Sequence, residues 1–354
     1  MQKRRIAITG LGAAAREIHL PAYRGIPEIE LVGGYDPDPE SRSVSFQRYG
    51  SLEQMLSTAA PDILVVAGPP DSHFESTRQG LLAGCHVLCE KPFMNTLQEA
   101  ETIIGLARAL GRQVVVNNQF RFMNIHRRAR ELIGKADFGD LLFLSAHQTF
   151  YTTRQTESGW RGREMRRTCK DFGIHVLDLC RFFFGEEPAS VYARMPRPEK
   201  SGGPDLLNLI QLEFSGDRMA HITLDRLSRG RHRYLDIRLD GTSGCVETHL
   251  GGGFSICAGI RGRSRRPFLQ TDLSMGGKAR LFHGERYRKI ASDPLDVFAA
   301  ATRRLMRAFL NSLEEGSVPP CHASDNKGSL ALMQAAYESE EKKRSVVPRG
   351  KAGQ

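Results

Sequence analysis

Ile6-Ala7-Ile8-Thr9-Gly10-Leu11-Gly12-Ala13-Ala14-Ala15 is the stretch on which the fold of this chain turns. Its short apolar run reads as a strand buried on both faces, as in a parallel sheet. The residues after it fit GxGxxA. Gly10 permits a tight turn, Gly12 lets backbone approach a pyrophosphate, and the small Ala15 lets helix and strand pack closely. Ala13 and Ala14 open a helix whose free N–H groups and dipole favour phosphate. The same pattern occurs in glycine-rich turns that bind nothing, so context decides. The next strand, 29–35, ends at Asp36, about 20 residues on, where an acid accepts hydrogen bonds from ribose hydroxyls. A carboxylate there suits a free 2′-hydroxyl and repels a 2′-phosphate. NAD is therefore expected over NADP, with Arg42 as the residue that would swing in on a phosphate.

The alternation continues outward. Apolar runs at 62–67, 86–89 and 114–116 end at Gly68-Pro69-Pro70, Glu90-Lys91-Pro92 and Asn117-Asn118. Thr96 and Glu99 form a capping box, followed by Ala100, Ile103, Ile104, Ala107 and Leu110 at helical spacing. Strands alternating with helices predict an α/β, doubly wound parallel sheet of the Rossmann type over residues 1–122. After that the texture changes. A helix is expected at 124–133, then alternating strands at 141–149, 191–195, 207–214, 219–227, 234–239 and 245–249, interrupted by a helix at 172–184. This predicts an α+β second domain, 123–343, on a mainly antiparallel sheet with one face covered. Helices near 295–313 and 327–341 close it, and the polar, basic 344–354 reads as a disordered tail.

At 354 residues the chain suits two domains, and 40% hydrophobic with 25% charged residues is ordinary globular composition. The net charge of +10 is concentrated locally, at 161–170, 226–233, 261–266 and 342–351. No basic stripe interleaved with aromatics runs along a helix, which argues against nucleic acid. Seven cysteines without a CxxC pair point to free thiols in a reducing compartment. With no signal peptide and no apolar run of membrane-spanning length, the expected location is the cytoplasm. Eleven scattered histidines without zinc-type spacing predict no metal, and GxSxG is absent.

Four further segments narrow the reading: Gly68-Pro69-Pro70-Asp71-Ser72-His73, Glu90-Lys91-Pro92, Asn118-Gln119-Phe120-Arg121-Phe122 and Asp171-Phe172-Gly173-Ile174-His175-Val176-Leu177-Asp178. In this order, after a Rossmann motif, the chain resembles the Gfo/Idh/MocA family, the glucose–fructose oxidoreductase and inositol dehydrogenase group, over nearly its whole length. The resemblance implies a Rossmann domain joined to an open, mainly antiparallel sheet. It implies NAD(P)-linked oxidation or reduction of a sugar or polyol, and a homodimer or homotetramer formed through that sheet. It places the catalytic lysine at Lys91, the acid–histidine pair at Asp171 and His175, and a cis bond before Pro92. A Trp-Arg pair lining the substrate pocket falls on Trp160 and Arg161.

The residues themselves fit such chemistry. Asp171, His175 and Asp178, four and three apart, share a helix face. Histidine accepts protons near neutral pH, and a carboxylate one turn away orients it or holds a substrate hydroxyl. A purely structural His–Asp network has the same spacing. Lys91 follows a strand at the ligand-binding edge of the sheet, where an ammonium stabilises an alkoxide. Whether Lys91 or His175 takes the proton stays open. Pro69, Pro70, His73, Glu90 and Asn118 lie where they would line the cofactor, although His73 could equally cap its helix. Arg121 reads as a substrate contact or a domain-junction ion pair, and Trp160 and Arg161 as pocket or packing. Before Asp171, where many relatives carry a glycine-rich turn, the chain reads Arg163-Glu164-Met165-Arg166-Arg167-Thr168-Cys169-Lys170. Such cations either favour an acidic or phosphorylated sugar or simply form a solvated loop. Besides the dehydrogenase, a dinucleotide-binding sensor and a redox-neutral glycoside cleavage or epimerisation are compatible with the motifs.

Overall fold

The computed structural model describes residues 3–38, 45–152, 160–197, 203–230, 232–261 and 266–349. The first sheet holds β1 (Arg4–Thr9), β2 (Ile29–Tyr35), β3 (Ile63–Val66), β4 (His86–Cys89) and β5 (Val114–Val116), all parallel, in the order β2-β1-β3-β4-β5. A π-helical turn, Ala15–His19, runs into α1 (Leu20–Tyr23); α2 (Leu52–Ala59), α3 (Pro70–Leu82) and α4 (Leu97–Ala109) supply the other crossovers. Local chemistry sets their starts. The Ser51 hydroxyl accepts from the Gln54 N–H, Pro70 sits in the first turn of α3, and Thr96 with Glu99 forms the expected capping box.

After a 3₁₀ turn, Gln119–Phe122, come α5 (Asn124–Leu132), β6 (Leu141–Thr149), α6 (Trp160–Arg163), a second π-helical turn (Cys169–Gly173) and α7 (Ile174–Phe184). The strands that follow are β7 (Ser190–Arg194), β8 (Leu207–Glu213), β9 (Met219–Asp225), β10 (Arg233–Gly241), β11 (Cys245–Leu250), β12 (Gly253–Arg261), β13 (Arg266–Ser274), β14 (Gly277–His283) and β15 (Arg286–Asp293). Seven of them with β6 make β15-β14-β11-β10-β6-β9-β8-β7, antiparallel except for β6–β9, and β12–β13 form a separate hairpin. Alternation along β8 and β9 buries one face and leaves Leu209 and Met219 exposed on the other.

Four strands, β12 to β15, lie beyond the expectation: β14 and β15 extend the second sheet, and β12 and β13 are the separate hairpin. β15, Arg286-Tyr287-Arg288-Lys289-Ile290-Ala291-Ser292-Asp293, is a charged edge, and charge on an edge strand blunts the apolar alternation by which strands are read. The helix expected at 172–184 begins earlier, as the π turn. α8 (Val297–Glu315) belongs to the second half by position but packs on the first sheet. Ala299, Leu305, Met306, Phe309 and Leu310 join one core with Ile6, Ile8, Val65 and Leu88. The short α1 leaves that face uncovered, and a parallel sheet needs both faces buried. α9 (Ala323–Lys342) ends the helical part. Within the expected tail, Val346 is hydrogen-bonded in both directions to Val191 at 2.9 Å.

Candidate active site

Gly10 takes φ +83°, and a Cβ on it would lie 2.3 Å from the Gly68 nitrogen, so the turn after β1 and the turn after β3 touch through bare backbone. Gly12 differs: a Cβ there meets nothing within 4 Å, and Gly12 and Ala13 are exposed at the start of the helix. That open ledge at a helix N-terminus fits a dinucleotide pyrophosphate. Asp36 ends β2 beside it. Its Oδ2 accepts the Leu11 N–H at 2.6 Å and its Oδ1 the Asp38 N–H at 2.9 Å, which leaves a carboxylate further lone pairs for ribose hydroxyls. Arg42 lies outside the described residues.

Pro69 and Pro70 begin α3. His73 is fully buried, with Nδ1 2.8 Å from the Pro92 carbonyl and Nε2 3.1 Å from that of Gly68, so it braces the turns instead of presenting a ring to a ligand. Glu90 is likewise buried, facing His19 and Asn117. The Lys91–Pro92 bond is cis.

Lys91 reaches across to the second π turn. Its Nζ donates to the main-chain oxygen of Asp171 at 2.6 Å and to Oδ1 at 3.0 Å. Arg161 Nε donates to Oδ2 at 3.0 Å, and Arg226 stands 3.7 Å away. Burial pushes the Asp171 carboxyl up, but Lys91, Arg161 and Arg226 outweigh it and hold the group well below the usual carboxylate range. Arg161 also lies over the Trp160 ring at 4.7 Å, so that pair packs together while Arg161 serves Asp171. His175 is stacked on Phe120, centroids 4.2 Å apart and 7° between planes. Burial, then the charge of Lys91, lower its pKa to about 3, so the imidazole is neutral at pH 7.

Asp178 points elsewhere. It accepts from Arg121 through Nε and Nη2, both at 2.7 Å, from Asn118 Nδ2 at 2.9 Å and from the Ser329 hydroxyl at 2.6 Å. Arg121 also donates to Asp325 at 2.8 Å. The expected ligand contacts at Asn118 and Arg121 are therefore occupied by a buried ion-pair network joining the 3₁₀ turn, α7 and α9. In the basic segment before Asp171, Lys170 pairs with Glu164, Arg166 pairs with Glu341 and Arg167 is buried. The cations at Asp171 come instead from Arg161 and Arg226. Arg226, Phe120 and His19 escaped the sequence reading because each acquires its neighbour only on folding.

Two sequence models match the chain: "Oxidoreductase family, NAD-binding Rossmann fold" over residues 4–118, and the GFO/IDH/MocA C-terminal domain over 126–247. The chain belongs to the Gfo/Idh/MocA family. This family member is 25% identical to D-apiose dehydrogenase of Paraburkholderia graminis, over 96% of the chain and 88% of that protein. It is 23% identical to an NADP(+)-linked scyllo-inositol 2-dehydrogenase of Bacillus subtilis, over 97% and 95%. An oxidoreductase of Agrobacterium radiobacter, solved with NAD+, L-tartaric acid and magnesium, shares the fold at TM-score 0.78 and 18% identity, 98% of each chain being covered. The Gfo/Idh/MocA protein is thus an oxidoreductase with an NAD-binding Rossmann domain. Among its described residues, no three His, Cys, Asp or Glu are placed to hold a metal ion, and no helix is long and apolar enough to cross a membrane.

Three histidines, two of them buried, set a pH response. His175 is lowered to about 3, and His126 and His86 to about 4, each first by burial, against an ordinary 6.5. Below pH 6.5 the unfolded chain binds protons that the folded one refuses, so stability falls as pH drops from 6.5 toward 4. The melting temperature is expected to decline over that window, with a smaller decline in His175→Asn. A flat profile from pH 6.5 to 4 contradicts the assignment of neutral histidines.

Proposed function

We propose that the enzyme interconverts a secondary hydroxyl and a carbonyl on a sugar, inositol or related polyol, with His175 as proton acceptor and Lys91 as electrostatic partner. The observation that carries this is the Lys91–Asp171 ion pair beside a neutral, buried His175, at the edge of the sheet that bears the glycine turn. Bound NAD supplies the hydride acceptor. The protein places the proton chemistry. An ammonium has three donors, and Asp171 engages two of Lys91's, leaving one for a substrate oxygen. That donor favours the developing alkoxide, while the imidazole removes the hydroxyl proton. Asp171 and Arg161 hold Lys91 in place. A panel of polyols, sugar acids and sugar phosphates, read as NADH absorbance with purified protein, tests the assignment. Binding of NAD without net reduction on any of them rejects it.

Asp36 carries the cofactor preference. NAD is expected to bind at least tenfold tighter than NADP, and Asp36→Ala to narrow that gap, as isothermal titration would show; tighter NADP binding overturns the preference. The partly exposed face of the second sheet, with Leu209 and Met219 uncovered, supports assembly of identical copies through it. A monomer in light scattering refutes that. Six described cysteines, all free, suit a cytoplasmic protein.

A further inference from the structure

Glu90 has no task in the chemistry above, yet its carboxylate is buried at the end of β4. Oε1 accepts from Asn117 Nδ2 at 2.6 Å and from His19 Nε2 at 2.8 Å. Oε2 accepts the main-chain N–H of Lys91 at 3.2 Å. Since the carboxylate takes the Nε2 proton, Nδ1 of His19 is left to accept the Tyr23 hydroxyl, 2.8 Å away. Asn117 follows β5 and meets the Thr302 hydroxyl of α8 at 3.3 Å. His19 has no exposed surface and closes the π-helical turn that starts beside the glycine ledge.

A buried polar contact of this kind is a poor source of stability, because apolar groups of similar volume often do as well. This one spans two parts that hydride transfer must keep in register: the helix at the cofactor phosphates and the backbone of Lys91. A misplacement of about 1 Å in such a constellation can cost on the order of a hundredfold in rate. We propose that His19 and Glu90 are positioning residues, His19 holding the Glu90 carboxylate in place and Glu90 setting the position of Lys91 relative to the cofactor helix. The inference rests on the assignment of Lys91 to the reaction.

Other groups share this field. Tyr23 on α1, His73 on α3, Cys89 on β4 and His175 on α7 all feel the Glu90 charge. Asp171 faces Lys91 from the second π turn and carries Arg161 and Arg226. Removing the Glu90 charge weakens the main-chain contact that fixes Lys91.

The test uses the full chain labelled with carbon-13 at the lysine ε position, with the Lys91 resonance identified by its loss in Lys91→Arg. Glu90→Gln, nearly isosteric, is expected to move the Lys91 ε-carbon resonance at one fixed pH, as the side chain leaves its place against Asp171. His19→Asn, too short to reach Glu90, is expected to move it the same way. His19→Gln, whose amide nitrogen can replace Nε2, is expected to restore it. Melting temperature and NAD+ affinity are read on the same samples. If the variants melt earlier while the Lys91 resonance stays put, the pair is only structural and the inference fails. It fails equally if His19→Gln shifts the resonance as far as His19→Asn. The spectrum needs no substrate and no turnover, so an inactive substrate panel with a shifted resonance rejects the proposed reaction and keeps the pair.

Discussion

Lys91→Ala is expected to lower kcat by about a thousandfold, the scale of losing one positioned electrostatic or acid–base group. NAD affinity should stay within about threefold, because the phosphate ledge at Gly12 and the carboxylate of Asp36 lie on other strands. The fold should survive too. Asp171 keeps Arg161 at 3.0 Å and Arg226 at 3.7 Å, so removing the ammonium does not strand a buried charge. The expected signature is therefore an intact melting temperature, intact cofactor binding and a collapsed turnover. Steady-state kinetics on whichever panel substrate is active, with isothermal titration of NAD, would measure it. Turnover within threefold of the parent enzyme would remove Lys91 from the mechanism. His175→Ala should behave similarly, with one difference. The imidazole is stacked on Phe120, so its loss also leaves a cavity and some instability.

The second large effect is on stability. Arg121→Ala should cost about 3 kcal/mol, the usual price of breaking a buried pair from one side. Asp178 is 1% exposed and would keep Asn118 and Ser329 but lose a bidentate guanidinium. Arg181, 3.7 Å away, is too far to replace it and is already engaged by Glu187 and Asp325. The paired change Arg121→Met with Asp178→Leu should lose less than the sum of the single changes, since neither charge is then left behind. Urea unfolding of the parent, Arg121→Ala, the Arg121→Met and Asp178→Leu single variants and their combination measures this. A single-mutant loss under about 1 kcal/mol would show the network to be dispensable.

That network marks a boundary in what the chain's spelling conveys. Asp171, His175 and Asp178 read as one helical face with one purpose. The π turn at Cys169–Gly173 and the arrival of two different partners divide them. Asp171 meets Lys91 from the first sheet, while Asp178 meets Arg121 from the following turn and Ser329 from α9. Identical residue types at helical spacing thus meet the proposed site in one case and hold elements together in the other. Arg121 and Asn118 were readable as polar residues at a sheet edge, but not as partners of Asp178, about 60 residues away in the chain.

What the sequence determined by itself was local: the glycine turn, the acid at the end of β2, the capping box of α4, buried parallel strands, and the ordered motifs that carry Lys91, Asp171 and His175. Each depends on backbone conformation or on neighbours within a few residues, so the order of residue types is enough to specify it. Only the tertiary structure decided which cations balance Asp171, that α8 returns to cover the first sheet, and that His19 reaches Glu90. These depend on side chains from distant segments meeting in a low-dielectric interior, where a partner's position settles both the charge state and the role of a group. The Gly12 ledge was legible from the start; the buried pair that ties its helix to Lys91 was not.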